Sequence, residues 1–192
     1  MIRKDAMWMG LALATLLPAA WAATEPVAEI CVDTGTLCVW QQPTVAAPAG
    51  WERKAVASSH YRASAFAPVG RNFANAPAVM YAKAVPKNAG ASTLAAFMAD
   101  DLASYRAQDG KLDVQNGLKF ADGDGRELPA VRLMPGAGGT AQWQTVAYAE
   151  EAGYFVVFSL SAHGKVDQDA ALPAFQQLVR SYHAERATRA KG

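Results

Sequence analysis

Apolar positions along the chain follow two patterns, alternating runs and helical repeats, and the stretch that organises the rest runs from Gln142 to Ser161. Within it, Trp143–Ala149 and Tyr154–Leu160 flank Glu150-Glu151-Ala152-Gly153, a polar break with the length and glycine content of a hairpin loop. Tyr154, Val156, Phe158 and Leu160 share one parity, and Phe155, Val157, Ser159 and Ser161 share the other. Both sets start apolar, which predicts a central strand buried on one face and partly on the other. An antiparallel pair in the middle of a sheet follows.

The remaining periodicities fill in the elements around that pair. Ala78–Val85 alternates, and its flanking Pro77 and Pro86 predict a strand whose ends are not both laddered. Leu94, Phe97, Met98, Leu102 and Tyr105 recur at helical spacing after Ser92, the expected N-cap, with Asp100, Asp101, Ser104 and Arg106 toward solvent and Asp109-Gly110 as the stop. Leu112, Val114, Leu118 and Phe120 share one parity of a further strand, and a turn through Asp122–Gly125 leads to another over Leu128–Met134. Ala171, Leu172, Phe175, Leu178, Val179 and Tyr182 form the apolar face of a last helix, capped by Asp167 or Asp169, with Pro173 near its first turn. Ahead of these lie a tether over Ala23–Glu29 and a small hairpin over Ile30–Trp40 whose Val39 and Trp40 pack onto the body. An alanine- and proline-rich linker or surface crossing (41–50) and a short strand near Lys54–Ala57 complete the forward part. The order strand, helix, three or four strands, helix predicts the α+β class: a two-layer sandwich with a central antiparallel sheet and helices packed against it.

Composition changes the picture mainly at the ends. Arg3 and Lys4, the apolar run Met7–Leu17 and the small-residue exit Ala20-Trp21-Ala22 follow the three-part plan of a secretory signal, so residues 1–22 are expected to be removed and the protein to be periplasmic or secreted. The run is too short for a membrane span, so no transmembrane segment is expected in the mature chain. Removing two basic residues and one acidic leaves 16 of each, a near-neutral protein that argues against nucleic acid. Residues 23–50 then form an extension, 51–183 a single α+β domain and 184–192 a polar tail. The two cysteines, Cys31 and Cys38, have six residues between them, Gly35 among these, a spacing that suits a structural disulfide in an oxidising compartment and not a redox pair.

Candidate chemistry is sparse. Asp122-Gly-Asp-Gly125 opens like a calcium loop, but Arg126 and Leu133 stand where the fifth- and twelfth-position oxygen ligands belong, so it reads as a tight turn. Gly136, Gly138 and Gly139 lack the Lys-Ser/Thr pair of a phosphate loop. His60, His163 and His183 have no partner at ligand spacing, so neither a metal nor a cofactor is expected, and no catalytic residue is assigned. His163 sits at the end of the central strand, where binding groups collect. Trp51, Tyr61 and Phe66, with Arg62 and Arg71 as polar neighbours, fall in weakly patterned chain, where a large side chain either anchors a loop or walls a groove; Trp143 opens the central pair. The candidate ligand- or partner-binding set is therefore Trp51, Tyr61, Arg62, Phe66, Arg71, Trp143 and His163.

Several of these features occur together in a known group. The tryptophan-led opening at Trp51, Asn72-Phe73 before a short strand, TLAAF (93–97), DGDG (122–125), FVVFSLSA (155–162) and ALPAFQQLVRSY (171–182) together resemble the PsbP/Mog1/DcrB-like α+β sandwich proteins across roughly Trp51–Tyr182. The resemblance implies a small accessory or partner-binding protein without chemistry of its own, and it transfers no catalytic residue. The expectation is a non-enzymatic protein that binds a protein or an envelope component. A small-molecule or lipid carrier is the first alternative and would need an apolar cavity between sheet and helices with Trp51, Tyr61 and Phe66 clustered. A hydrolase using His163 is the second.

Overall fold

The computed structural model describes residues 23–30, 35–87 and 91–184. Among them, β1 (Thr24–Ile30) and β2 (Leu37–Pro43) form a two-stranded hairpin. The body is a seven-stranded antiparallel sheet of β3 (Trp51–Arg53), β4 (Ser64–Pro68), β5 (Ala78–Pro86), β6 (Leu112–Ala121), β7 (Glu127–Pro135), β8 (Trp143–Glu150) and β9 (Tyr154–Ala162). Their order across the sheet is β3-β4-β5-β9-β8-β7-β6, so the strand read as central from its pattern does lie at the middle. Three helices complete the chain: α1 (Ala55–Tyr61), α2 (Leu94–Gln108) and α3 (Lys165–Arg180).

The class is α+β with a central antiparallel sheet, as expected, and a helix packs on each face, one layer more than the two anticipated. The reason lies in β9, where every residue from Phe155 to Ala162 is buried, so both of its faces need a cover. Val156, Phe158 and Leu160 join Met80, Ala82, Ala130 and Ala147 beneath Phe175, Leu178 and Val179 of α3. Val157, with Val131, Val146 and Tyr148, faces Leu94, Phe97, Met98 and Leu102 of α2 on the other side. Alanines at Ala82, Ala130 and Ala147 let α3 approach the backbone closely, and aromatics fill the space left: Phe158 meets Tyr182 edge-on at 5.2 Å, and Phe120 meets Phe175 at 5.3 Å.

Four local departures from the expected elements have identifiable causes. Lys54–Ala57 is not a strand: residues 55–61 form α1, closed by Arg62 in the left-handed region (φ 49) and tied to β4 by the Ala65 amide donating to Ser58 Oγ at 3.0 Å. The N-cap of α2 is Thr93 rather than Ser92, its hydroxyl accepting from the Ala96 amide. Leu112 and Val114 pack on the α2 face, whereas Leu118 and Phe120 pack on the α3 face, although all four share one parity. One extra residue between Gln115 and Leu118, a bulge with Gly117 at φ +79, turns the strand over. Finally, Pro173 lies inside α3, whose N-cap is Gly164 with no side-chain bond; its ring is on the exposed side, where water can meet the carbonyl that it leaves unpaired.

Toward the N-terminus, Thr24–Ile30 is a strand where a tether was expected over Ala23–Glu29. Val39 is exposed, not packed on the body, because the hairpin joins the domain at its root, where Ala23 is buried and the Ser64 hydroxyl donates to the Pro43 carbonyl. Strand β5 is an inner strand, laddered from Ala78 to Pro86 against β9, although prolines bracket it. Residues 44–50 run along α3, with the Ala46 amide donating to Ser181 Oγ (2.9 Å) and the Ala49 amide to Gln177 Oε1 (3.2 Å). Cys38 lies on β2, and Cys31, its expected partner, lies outside the described residues, as do residues 1–22 and 185–192.

The far end of α3 is locked by charge. Asp122 accepts from the Asp124 and Arg126 amides and from Arg126 Nε (2.7 Å). The same guanidinium donates to buried Glu151 (3.2 Å), which also accepts from the Tyr182 hydroxyl at 2.6 Å. The DGDG segment is thus a turn folded around its own first aspartate. If α3 carries one face of the core, Phe175→Ala should cost about 3–5 kcal/mol and exposed Val166→Ala less than about 0.5 kcal/mol in urea unfolding; similar costs for the two would refute this packing.

Candidate functional site

Two helices share the second face of the sheet without meeting. α1 covers β4, whose Ala65 is fully buried, and α2 covers the β7–β8–β9 side. Between them a strip of β5 and β9 forms the floor of a cleft of about 650 Å³, with Tyr81 and Lys83 of β5 the less buried part of it. That volume is typical of a small-ligand site.

The floor follows from strand register. Val79 pairs with Ser161, Tyr81 with Ser159 and Lys83 with Val157, which places all six side chains on one face. Ser161 also pairs with Gln144 of β8. One wall is α2, where Phe97, Asp101 and Tyr105 recur at four-residue spacing on a single side. The opposite wall is the end of α1 and the 3-10 turn Phe73–Asn75, where the Tyr61 and Phe73 rings lie 5.6 Å apart, tilted by 40°. Gln142 and His163 close one end.

Polar groups inside the cleft are held in place. The Tyr148 hydroxyl reaches from beneath α2 to donate to Asp101 Oδ2 at 2.8 Å. Asp101 is therefore turned toward the sheet, not toward solvent as its position among polar neighbours suggested. Burial raises its carboxyl pKa above the usual 3.8, and the Tyr148 bond offsets this only in part. Burial, with the nearby Asp101 carboxylate as a further cause, pushes the Tyr148 and Tyr105 phenols far above their usual range. Both stay protonated at physiological pH and act as hydrogen-bonding groups rather than as bases or nucleophiles. The Ser161 hydroxyl donates to Gln142 Oε1 at 2.6 Å, which fixes that amide with its NH₂ group still available. Ser159 Oγ is buried without a hydrogen bond of good geometry among the described residues.

Of the seven residues picked from the sequence, Tyr61 and His163 line this cleft. Trp51 and Phe66 belong to the core on the α3 face, and Trp143 is in register with Ala162 on that same face. Arg62 caps α1, and Arg71 is exposed beyond β4. The floor residues Tyr81, Ser159 and Ser161 and the wall residues Phe73, Phe97, Asp101 and Tyr105 were not singled out. A signal for the floor existed, since two serines of one parity in the most buried strand mark a side that is not packed against apolar groups. Among the described residues, no cluster of three or more His, Cys, Asp or Glu is placed to hold a metal, and no helix is long and apolar enough to cross a membrane.

No family model matches the chain, and no curated protein matches it. Among solved structures, the chain is similar to cyanobacterial PsbP from Synechocystis sp. PCC 6803, at 14% identity and a TM-score of 0.44, covering 89% of this chain and 98% of that one. The resemblance expected from the element order thus recurs in the comparison of structures. At this distance, nothing about activity follows from it.

The raised carboxyl makes a checkable link between the cleft and stability. An acid whose pKa rises on folding binds a proton more tightly in the folded state, so its contribution weakens as pH climbs from the unfolded value through the folded one. Asp101→Asn keeps an acceptor for Tyr148 and removes that dependence. The variant should gain stability relative to the parent as pH rises from about 4 to 7, read as the difference in urea midpoints; a difference that does not change with pH would show that Asp101 is not desolvated.

Proposed function

We propose that this is a secreted, non-catalytic accessory protein that binds an envelope component in the cleft between α1 and α2. The observation that carries the reading is the cleft itself, an open site of about 650 Å³ with aromatic walls and a floor of fixed hydroxyl and amide groups. Such a lining fits holding a molecule better than transforming one. The phenols are held protonated, and Asp101 is already engaged by Tyr148. The exposed His163 ring makes no hydrogen bond to a serine or an aspartate among the described residues, which weighs against the hydrolase reading. Secretion is supported by the sequence of residues 1–22, with its basic start, apolar run and small-residue exit.

The carrier alternative asked for an apolar cavity between sheet and helices with Trp51, Tyr61 and Phe66 together. A cavity lies there with Tyr61 on its wall, while the other two rings are across the sheet. The site on this reading is therefore the cleft and not the aromatic arm.

The experiment is native mass spectrometry of the mature protein after incubation with an extract of its own envelope, beside the double variant Tyr61→Ala/Phe73→Ala. Both rings are at least partly exposed, so the variant should keep its unfolding midpoint. The parent should retain a non-covalent adduct whose occupancy falls at least about tenfold in the variant, equivalent to about 1.4 kcal/mol. An adduct retained equally by both would place binding elsewhere on the molecule.

A further inference from the structure

The cleft's lining also says what kind of molecule it takes, if the reading above holds. We infer that the ligand is a neutral saccharide, bound with an apolar face of its sugar ring on Tyr61 and Phe73 and its hydroxyl or acetamido groups toward Gln142, Gln144 and the floor hydroxyls.

Charge decides first. The cleft contains one lysine, Lys83, and one aspartate, Asp101, so its formal charge balances. Lys83 is exposed at the rim, and Asp101 already accepts from Tyr148. An anionic ligand would meet Asp101 with only Lys83 to compensate, and a cationic one would meet Lys83 with only Asp101, one of whose oxygens already accepts from Tyr148. A charge brought into a partly desolvated site without full compensation is disfavoured. A neutral ligand avoids this cost.

The polar groups decide next. Gln142 is fixed by Ser161 through its oxygen, which leaves its two N–H donors unspent; Gln144 presents another amide alongside. The Tyr81 and Tyr105 hydroxyls interact with each other in the same cleft, so the unspent groups are chiefly the two amides, which an alkyl chain would leave unpaired. A polyhydroxylated molecule satisfies them. The aromatic wall decides between a sugar and a simpler polyol. The Tyr61 and Phe73 rings form a shallow, half-exposed platform, and the electron-rich face of an aromatic ring attracts the positively polarised C–H groups on one side of a pyranose.

The test is a titration followed by amide NMR shifts and calorimetry, using three sugar trimers of equal length. These are the neutral N-acetylglucosamine trimer, its cationic de-N-acetylated form and anionic trigalacturonate, with maltotriose as a second neutral probe. At least one neutral trimer should shift the amides of Tyr81, Ser159 and Gln144, and both charged trimers should bind at least tenfold more weakly. Gln144→Ala should weaken the neutral trimer about tenfold without changing the unfolding midpoint. Equal or tighter binding of a charged trimer, or no shift at those amides with either neutral probe, would overturn the assignment. The two levels separate cleanly. If the envelope adduct is lost in Tyr61→Ala/Phe73→Ala yet no neutral sugar binds, the cleft is the site and the saccharide is wrong. If that adduct is destroyed by protease, the ligand is a polypeptide and the saccharide assignment fails. If the double variant retains the adduct in full, the cleft reading itself fails.

Discussion

A strand buried on both faces cannot be covered by one layer, and in this protein β9 imposes that constraint on everything else. Its residues from Phe155 to Ala162 are all removed from solvent, and its backbone is laddered by β5 on one side and β8 on the other. The apolar parity takes α3, which buries Phe175, Leu178 and Val179 completely. The mixed parity, with its serines, takes the lighter cover of α1 and α2. Of α2, no residue is fully buried.

That asymmetry divides the molecule by task. On the α3 face the packing is close, residues 44–50 are bonded along the helix, and the Asp122–Arg126–Glu151–Tyr182 cluster ties down its far end. On the other face, α2 rests on partly buried side chains and a hydrogen bond from Tyr148, the arrangement expected of a less stable local unit.

The sheet's edges are poorly suited to pairing with other strands. β3 is three residues long. β6 is broken by the bulge at Asn116-Gly117, and Lys119 is exposed on it and paired with Glu127. Short, kinked and charged edges resist strand addition. On the proposed reading, binding through the cleft would use side chains rather than backbone ladders, with the amides and hydroxyls between the aromatic walls setting its selectivity.

Periodicity alone determined the class, the central antiparallel pair, the two long helices and the buried face of α3, because Leu94–Tyr105 and Ala171–Tyr182 repeat at a spacing that local geometry imposes. It failed at Leu112–Phe120, where one extra residue reverses the faces of four apolar residues that share a parity, and at Lys54–Ala57, where a short helix is held by a bond from β4 that no local pattern reveals. The cleft was legible only in outline, through Ser159 and Ser161 in an otherwise apolar strand and through His163 at its end. That Tyr81 meets Ser159, that Asp101 turns inward to Tyr148, and that Tyr61 and Phe73 stand opposite Phe97 are consequences of register and of two helices stopping short of each other. Those are long-range facts. They depend on which strands become neighbours, and the tertiary packing alone decided them.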